Sequence, residues 1–167
     1  MRSRHGPTVV VGLGTRLMGD DAIGLALLDH LREQFDLTGD VLTLDGEAWT
    51  THLTPLVRSA RRVIILAALD LKERPGTLIV LEGPAVLAHF DEHPTAPWCA
   101  VCESLDAGQL RGPAPLELLA IGVQPGPVAL GLELSPSARA ALEAAATLVS
   151  ERLGAWGLPC EPHLSHA

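Results

Sequence analysis

Residues Thr8–Leu31, TVVVGLGTRLMGDDAIGLALLDHL, decide the fold of this chain. The β-branched run Val9–Val11 predicts a short buried strand, and the glycines of Gly12–Gly14 predict the turn that ends it. Asp20 and Asp21 then open an amphipathic helix, since carboxylates favour a helix N-terminus. This strand–turn–helix unit places both acids at the carboxyl end of a strand, which is the edge where open α/β sheets bind ligands.

The glycine turn does not predict a dinucleotide site. The third glycine of a GxGxxG motif is absent, because Leu17 stands at that position. In addition, two acids at the start of the helix would repel a pyrophosphate. The acid pair is better suited to binding a cation than to binding a pyrophosphate. The alternative is helix capping, which we consider for Asp20 in particular.

Composition limits the class of protein. A length of 167 residues with 47% hydrophobic and 19% charged residues predicts a single compact domain at 1–167, with its core at about 8–153 and a tail at 154–167. The net charge of −8 disfavours nucleic-acid binding. No apolar run reaches the roughly 18 residues of a membrane span. Three cysteines form no disulfide framework, so we expect a cytoplasmic protein.

Strands and helices alternate along the chain, and this alternation predicts the α/β class. We expect a three-layer sandwich, in which helices flank a mainly parallel five-stranded sheet. The short connection into the fourth strand predicts that this strand lies at an edge and can run antiparallel. The predicted strands are at about 8–12, 40–44, 62–67, 77–81 and 115–123, and the predicted helices at about 20–34, 54–59, 85–90, 103–110 and 136–153.

Several motifs resemble those of the hydrogenase maturation proteases. GLGTRLMGDDAIG is similar to the opening motif of that family, GxGNxLxxDDGxG, although Thr15 and Ala22 depart from it. The resemblance continues in the same order to Leu153. It includes Leu44–Gly46, which matches LDG, Arg74–Thr77, which matches the PGT turn, and Ile121–Pro125, Gly131 and Leu134–Pro136, which match GIQP…G…LSP.

The resemblance implies an endopeptidase that removes the C-terminal extension of a nickel-loaded NiFe-hydrogenase large-subunit precursor. It implies the substrate's nickel as the only cofactor and an acid, an aspartate and a histidine as the residues that contact this nickel. The acid of the first motif corresponds to Asp21. The aspartate corresponds to Ala67, which cannot ligate a metal, and the histidine to a position near Pro97 or Trp98.

Two interpretations follow from the two missing ligands. In the first, the site is rebuilt from neighbouring residues: His93 or His89, which lie four residues apart, Asp70, which lies three residues past Ala67, or Glu47, which follows the LDG motif. In the second, the chain is a non-catalytic relative that binds the hydrogenase precursor or another maturation factor as a chaperone or checkpoint. The alternative for Asp70 and Glu47 is a solvated turn, where acids usually lie.

Four further residues have side chains of the types that bind structural zinc. Cys99 and Cys102 form a CxxC pair, and Cys160 and His163 form a CxxH pair downstream. The spacing between the two pairs matches no established zinc motif. Buried thiols that behave as small hydrophobic side chains are the alternative.

Overall fold

The computed structural model describes residues 6–37, 39–48, 53–93, 117–158 and 160–163. The strands in this part of the chain are β1 (Thr8–Gly12), β2 (Phe35–Leu37), β3 (Val41–Asp45), β4 (Arg62–Ala68), β5 (Leu78–Glu82), β6 (Glu117–Val123) and β7 (Cys160–Pro162). The helices are α1 (Ile23–Gln34), α2 (Leu53–Ser59), α3 (Pro84–Glu92) and α4 (Pro136–Ala155), and a 3₁₀ helix (Gly19–Ala22) leads into α1.

Five of these strands form one sheet in the order β3-β1-β4-β6-β5. All neighbours in this sheet are parallel except β5, which runs antiparallel to β6 at the edge. Gly12 at the end of β1 lies between Asp45 of β3 and Leu66 of β4. The loops that follow these strands therefore emerge along one edge of the sheet. Both the mainly parallel sheet and the antiparallel edge strand were predicted and are confirmed.

Helices cover both faces of the sheet, which confirms the three-layer architecture. One core joins alternate residues of β1 and β4, such as Val10 and Ile64, to apolar residues of α1 and α4. The other core joins the intervening residues, such as Val11 and Ile65, to residues of α2 and α3. No described helix is both long and apolar enough to cross a membrane.

A two-stranded ribbon at the side of the sheet was not predicted. β2 pairs antiparallel with β7, which lies in the segment that we expected to be a tail. The ribbon extends the core, because Phe35, Leu37 and Cys160 pack against the α1–α4 layer. Each strand has only three residues. Strands this short show no periodicity, and the distant pairing leaves no local signal.

The predicted element bounds agree with the structure to within a few residues. The largest difference among the described residues is at the first helix, where Gly19–Ala22 form a 3₁₀ helix and α1 begins at Ile23 rather than at 20. α3 extends to Glu92 rather than Phe90, and the predicted start of the fifth strand at 115 lies outside the described residues. Ser135 is the N-cap of α4 as expected, and its hydroxyl accepts a hydrogen bond from Ala138 N. The helix predicted at 103–110 lies outside the described residues.

The Asp20 carboxylate holds three segments of the chain together. It accepts hydrogen bonds from Gly126 N at 2.8 Å, from Ser135 N at 2.7 Å and from the Ser135 hydroxyl at 2.7 Å. The side chain is 2% exposed. Asp20 therefore makes no capping hydrogen bond for its own 3₁₀ helix and instead binds the entry to α4 and the loop after β6. Helix capping at its own terminus, which we considered for Asp20, is thus wrong.

The ionisation of Asp20 follows from these contacts. Burial alone would raise the pKa of the carboxyl, but the hydrogen bonds from Ser135 and Gly126 outweigh burial and hold the pKa below its ordinary value. The carboxylate is therefore the form that the folded chain favours.

Gly24 sets the distance between α1 and the sheet. A Cβ at this position would collide with the carbonyl oxygens of Leu13 and Leu66. α1 thus lies directly against the end of β4, which fixes the position of the 3₁₀ helix that precedes α1.

We predict that Gly24→Ala lowers the free energy of unfolding by about 1–3 kcal/mol, because overpacking outweighs the better helix propensity of alanine. Gly154→Ala in α4 is the matched control, since no described atom outside the helix's own backbone lies within 4 Å of the place that an alanine Cβ would take. This control should gain up to about 1 kcal/mol. Urea unfolding at pH 7 measures both changes. Equal effects of the two substitutions would contradict the close packing of α1.

We predict that Asp20→Asn lowers the free energy of unfolding at pH 7 by about 2–3 kcal/mol, because charge-assisted hydrogen bonds are lost in a buried site. The pKa of Asp20 is lower in the folded chain than in the unfolded chain. Its contribution is therefore complete above the unfolded pKa and is lost as the pH falls through the folded pKa. The difference between the variant and the wild type should shrink as the pH falls below about 4 in urea titrations. A difference independent of pH would argue against an ionised Asp20.

Candidate functional site

A cleft of about 160 Å³ opens at the carboxyl edge of the sheet, between the turn after β1, the end of β4 and helix α3. Four ionisable side chains line this cleft, two carboxylates and two imidazoles. Its described lining consists of Leu13, Gly14, Asp21, Ala67, Ala68, Asp70, His89, Phe90, His93, Pro125 and Val128. Three of the residues predicted for the site, Asp21, Asp70 and His93, therefore surround one cavity.

The glycine turn after β1 positions Asp21. Gly14 has a φ of +142°, a conformation that side chains disfavour, and a Cβ there would collide with the carbonyl oxygen of Asp21. The second glycine of the GxG turn is thus required for close approach of the 3₁₀ helix. Asp20 points into the protein and Asp21, its half-buried neighbour, lines the cleft. The two adjacent acids have different roles.

Gln124 holds Asp70 in place. The Gln124 side chain is 4% exposed, and its Nε2 donates a hydrogen bond of 3.0 Å to Asp70 Oδ1. Its Oε1 accepts from Leu71 N at 2.8 Å and from Glu73 N at 3.1 Å, so one amide organises the whole turn after β4. Lys72 N donates to the same carboxylate oxygen of Asp70 at 3.1 Å.

These hydrogen bonds also set the charge of Asp70. The bond from Gln124 is the largest cause that holds the pKa of Asp70 below its ordinary value, and the bond from Lys72 N adds to it. Asp70 is exposed, as a solvated turn residue would be, but its carboxylate is fixed in the wall of the cleft. Gln124 was not among the residues predicted for the site. Its place in the GVQP segment, directly after the buried strand β6, is the signal that would have identified it.

His89 and His93 form a stacked pair at the end of α3. Their ring centroids lie 4.6 Å apart with an interplanar angle of 15°. His93 is the C-cap of α3, and its Nδ1 lies 3.1 Å from the carbonyl oxygen of His89. Burial is the main cause that lowers the pKa of His89, and His93 lowers it further. His89 is therefore a neutral imidazole at neutral pH and can accept a proton or bind a metal.

Glu47 and Asp45 lie in a separate network around Arg16. Arg16 Nη2 contacts Asp45 Oδ2 at 2.8 Å, and Arg16 Nη1 contacts Asp29 Oδ2 at 3.1 Å. Arg16 N donates to Glu47 Oε2 at 3.1 Å. Neither Asp45 nor Glu47 is among the described residues that line the cleft. Burial tends to raise the pKa of Asp45, but the hydrogen bond from Arg16 and those from Ala48 N and Glu47 N hold it below its ordinary value.

The remaining predicted residues are placed as follows. Ala67 lies in β4, pairs with Gly122 and contributes a methyl group to the cleft where the family motif has an aspartate. Pro97, Trp98, Cys99 and Cys102 lie outside the described residues.

The second half of the predicted zinc site lies on the β2–β7 ribbon. Burial raises the pKa of the Cys160 thiol, and Cys160 Sγ lies 3.9 Å from the carbonyl oxygen of Leu158. His163 Nε2 contacts Asp36 Oδ1 at 2.9 Å. The zinc hypothesis stays a prediction, because its other two ligands are not described.

The described side chains of the cleft can transfer protons, but they do not form a complete metal-binding site. Carboxylates and a neutral imidazole can take a proton from water and, once protonated, can return it to a leaving amine. Within the described ranges, no three His, Cys, Asp or Glu side chains come close enough together to hold an ion by themselves.

We predict that Gln124→Glu raises the pKa of Asp70, because the substitution replaces the amide donor with a second carboxylate. Glutamate keeps an oxygen for Leu71 N and Glu73 N, so the turn should keep its backbone hydrogen bonds. Carbon-13 NMR titration of the aspartate carboxyls measures the change. Asp45 is the internal control, since its pKa is set by Arg16. An unchanged titration of Asp70 would show that Gln124 does not control its charge.

Comparisons with known proteins agree with the architecture and with the family that the sequence resembles. The HycI family model, which describes hydrogenase maturation proteases, matches residues 25–152. HoxM, a hydrogenase expression/formation protein of Cupriavidus necator, is 29% identical over 155 residues, which cover 89% of this chain and 75% of HoxM. The hydrogenase 2 maturation protease of Escherichia coli K12 is 28% identical over 155 residues, which cover 92% of this chain and 94% of that protease.

The fold comparison gives the same result. The solved structure of the hydrogenase maturating endopeptidase HybD from E. coli superposes with a TM-score of 0.83 at 26% identity, covering 94% of this chain and 98% of HybD. The predicted resemblance is confirmed by the family match over more than half of the chain. The chain therefore belongs to the hydrogenase maturation protease family.

Proposed function

We propose that this protein is an endopeptidase that removes the C-terminal extension of a nickel-loaded NiFe-hydrogenase large-subunit precursor. The observation that carries the proposal is the convergence of Asp21, Asp70 and His93 on one cleft, in a member of a family of hydrogenase maturation proteases. The reaction takes place in the cytoplasm and uses no organic cofactor.

In this proposal the site is rebuilt around the position where the family motif has an aspartate. Asp21 supplies the carboxylate of the first motif. Asp70 replaces the carboxylate missing at Ala67, because both residues line the cleft and Gln124 orients Asp70. His93, or its stacked neighbour His89, supplies the imidazole. Carboxylate and imidazole groups suit a borderline divalent ion such as nickel, and one or two of them would act as additional ligands to the nickel of the precursor.

In this proposal the nickel belongs to the substrate. A nickel ion that arrives in the precursor keeps most of its own ligands, and the cleft needs to add only one or two. The ion can then orient the scissile carbonyl and polarise it. An imidazole or carboxylate of the cleft takes the proton of the attacking water and returns it to the leaving amine.

Glu47 is the weakest of the predicted ligands. Its carboxylate accepts a hydrogen bond from Arg16 N, outside the described lining of the cleft. Glu47 therefore serves as a control in the experiment below.

The presence of Ala67 in the cleft wall favours a second candidate function, a non-catalytic relative. Such a protein would bind the hydrogenase precursor or another maturation factor as a chaperone or checkpoint. It would recognise the precursor through the same cleft but release it uncut.

We predict that wild-type protein shortens a nickel-loaded large-subunit precursor, observed as the loss of a C-terminal peptide by intact mass. Asp21→Asn, Asp70→Asn and His93→Ala should each slow the cleavage by about 100-fold or more, which is the usual contribution of an acid–base group. Glu47→Gln should cleave at a rate near that of the wild type.

The outcomes separate the two functions. Co-elution with the precursor but no shortened product would make this chain a binding relative. Cleavage that depends on Asp21 but not on Asp70 would support the protease function and would show that Asp70 is not part of its active site. Neither binding nor cleavage would contradict both functions.

A further inference from the structure

Four exposed aliphatic residues lie in two neighbouring segments of the chain, Leu17 just before the 3₁₀ helix and Val128, Leu130 and Leu132 in the loop after β6, where Val128 also lines the cleft. Leu130 is 83% exposed, Leu132 76%, Leu17 56% and Val128 49%. We call this set, Leu17, Val128, Leu130 and Leu132, the aliphatic rim. Single exposed aliphatic residues are ordinary, but a group of them beside a functional site marks a binding surface.

The aliphatic rim has a fixed backbone. Gly131 forms a parallel bridge with Met18, in which Gly19 N donates to Gly131 O at 2.9 Å and Gly131 N donates to Leu17 O at 2.8 Å. Asp20 fastens the same two segments to each other through Gly126 and Ser135. The leucines are therefore presented on an ordered support, and binding to them costs little backbone entropy.

The rim is continuous with the cleft. Val128 belongs to both, since it also lines the cavity next to Pro125 and Asp21. An endopeptidase must hold its substrate on both sides of the bond that it cuts. A polypeptide that lies against Asp21 would therefore extend across the rim.

We infer that the aliphatic rim binds an apolar segment of the large-subunit precursor that flanks the scissile bond, so that the rim determines substrate specificity. This inference rests on the proposed function. The aliphatic side chains of the rim select apolar partner residues, although the charged residues Arg16 and Glu133 are exposed beside them. A second copy of this chain is disfavoured as the occupant, because each copy carries a net charge of −8 and the copies repel each other.

The test compares a rim variant, Leu130→Ser/Leu132→Ser, with a control variant, Leu42→Ser/Leu78→Ser. The control removes two leucines that are 37% and 38% exposed on strands β3 and β5. The precursor is the nickel-loaded large subunit, and the measured quantities are its Kd by biolayer interferometry and the KM and kcat of cleavage. The sedimentation velocity of each variant reports on self-association.

We expect the rim variant to raise Kd and KM by about 10- to 100-fold, as the loss of two apolar contacts would, and to leave kcat within about twofold. The control should behave as the wild type. If wild type binds but does not cleave, and the rim variant loses binding, the proposed proteolysis fails and this inference stands. Cleavage by the rim variant with unchanged KM overturns the inference and leaves the protease intact.

Two other outcomes also overturn the inference. One is a wild-type dimer that the rim substitutions convert to a monomer while precursor binding is unchanged, which would assign the rim to self-association. The other is a wild type that neither binds nor cleaves the precursor, in which case the proposed function and the inference fail together.

Discussion

The buried carboxylate of Asp20 is the interaction on which the active edge of this molecule depends. It joins the 3₁₀ helix before α1, the loop after β6 and the N-terminus of α4 by hydrogen bonds from Gly126 and Ser135. A carboxylate can accept several such bonds at once, and a buried one must do so to offset the loss of solvation. The connection from β6 to α4 is therefore fixed at Gly126 and Ser135 to a helix more than 100 residues earlier in the chain, and the cleft forms beside this contact.

The different roles of Asp20 and Asp21 follow from the burial of Asp20. In the tight turn of the 3₁₀ helix, neighbouring side chains point in different directions, so one acid is buried while the next lines the cleft. Gly14 permits this arrangement, because its missing Cβ leaves room for the carbonyl oxygen of Asp21. The opening motif thus combines a structural acid, a cleft acid and the glycine that lets them approach the strand. Substitution of Asp20 would therefore displace Asp21, although Asp21 itself is unchanged.

The fold could be predicted from the sequence because its main strands and helices are strongly periodic, apolar segments. Buried runs such as Val63–Leu66 and a clear N-cap at Ser135 specify strands and helices locally. The β2–β7 ribbon could not be predicted, because its strands are three residues long and their pairing is remote. The site was only partly predictable for a similar reason. Asp21 was a candidate from the family motif and Asp70 and His93 from their residue types and positions, and all three line the cleft. The contacts of Gln124 and Arg16 could not be predicted, because they join distant segments of the chain.

The position of Asp70 shows how the edge of a sheet can bring a carboxylate into the same cleft as Ala67. Ala67 is the penultimate residue of β4, and Asp70 lies just beyond the strand, in a turn that Gln124 holds at the end of the neighbouring strand β6. The turns that follow parallel strands lie at the same edge of the sheet. A carboxylate three residues beyond Ala67 therefore lines the same cavity. A turn is less rigid than a strand, and the side chain must be held by hydrogen bonds instead of by the sheet. The buried amide of Gln124 meets that requirement: its two ends bind the Asp70 carboxylate and the backbone of the turn together.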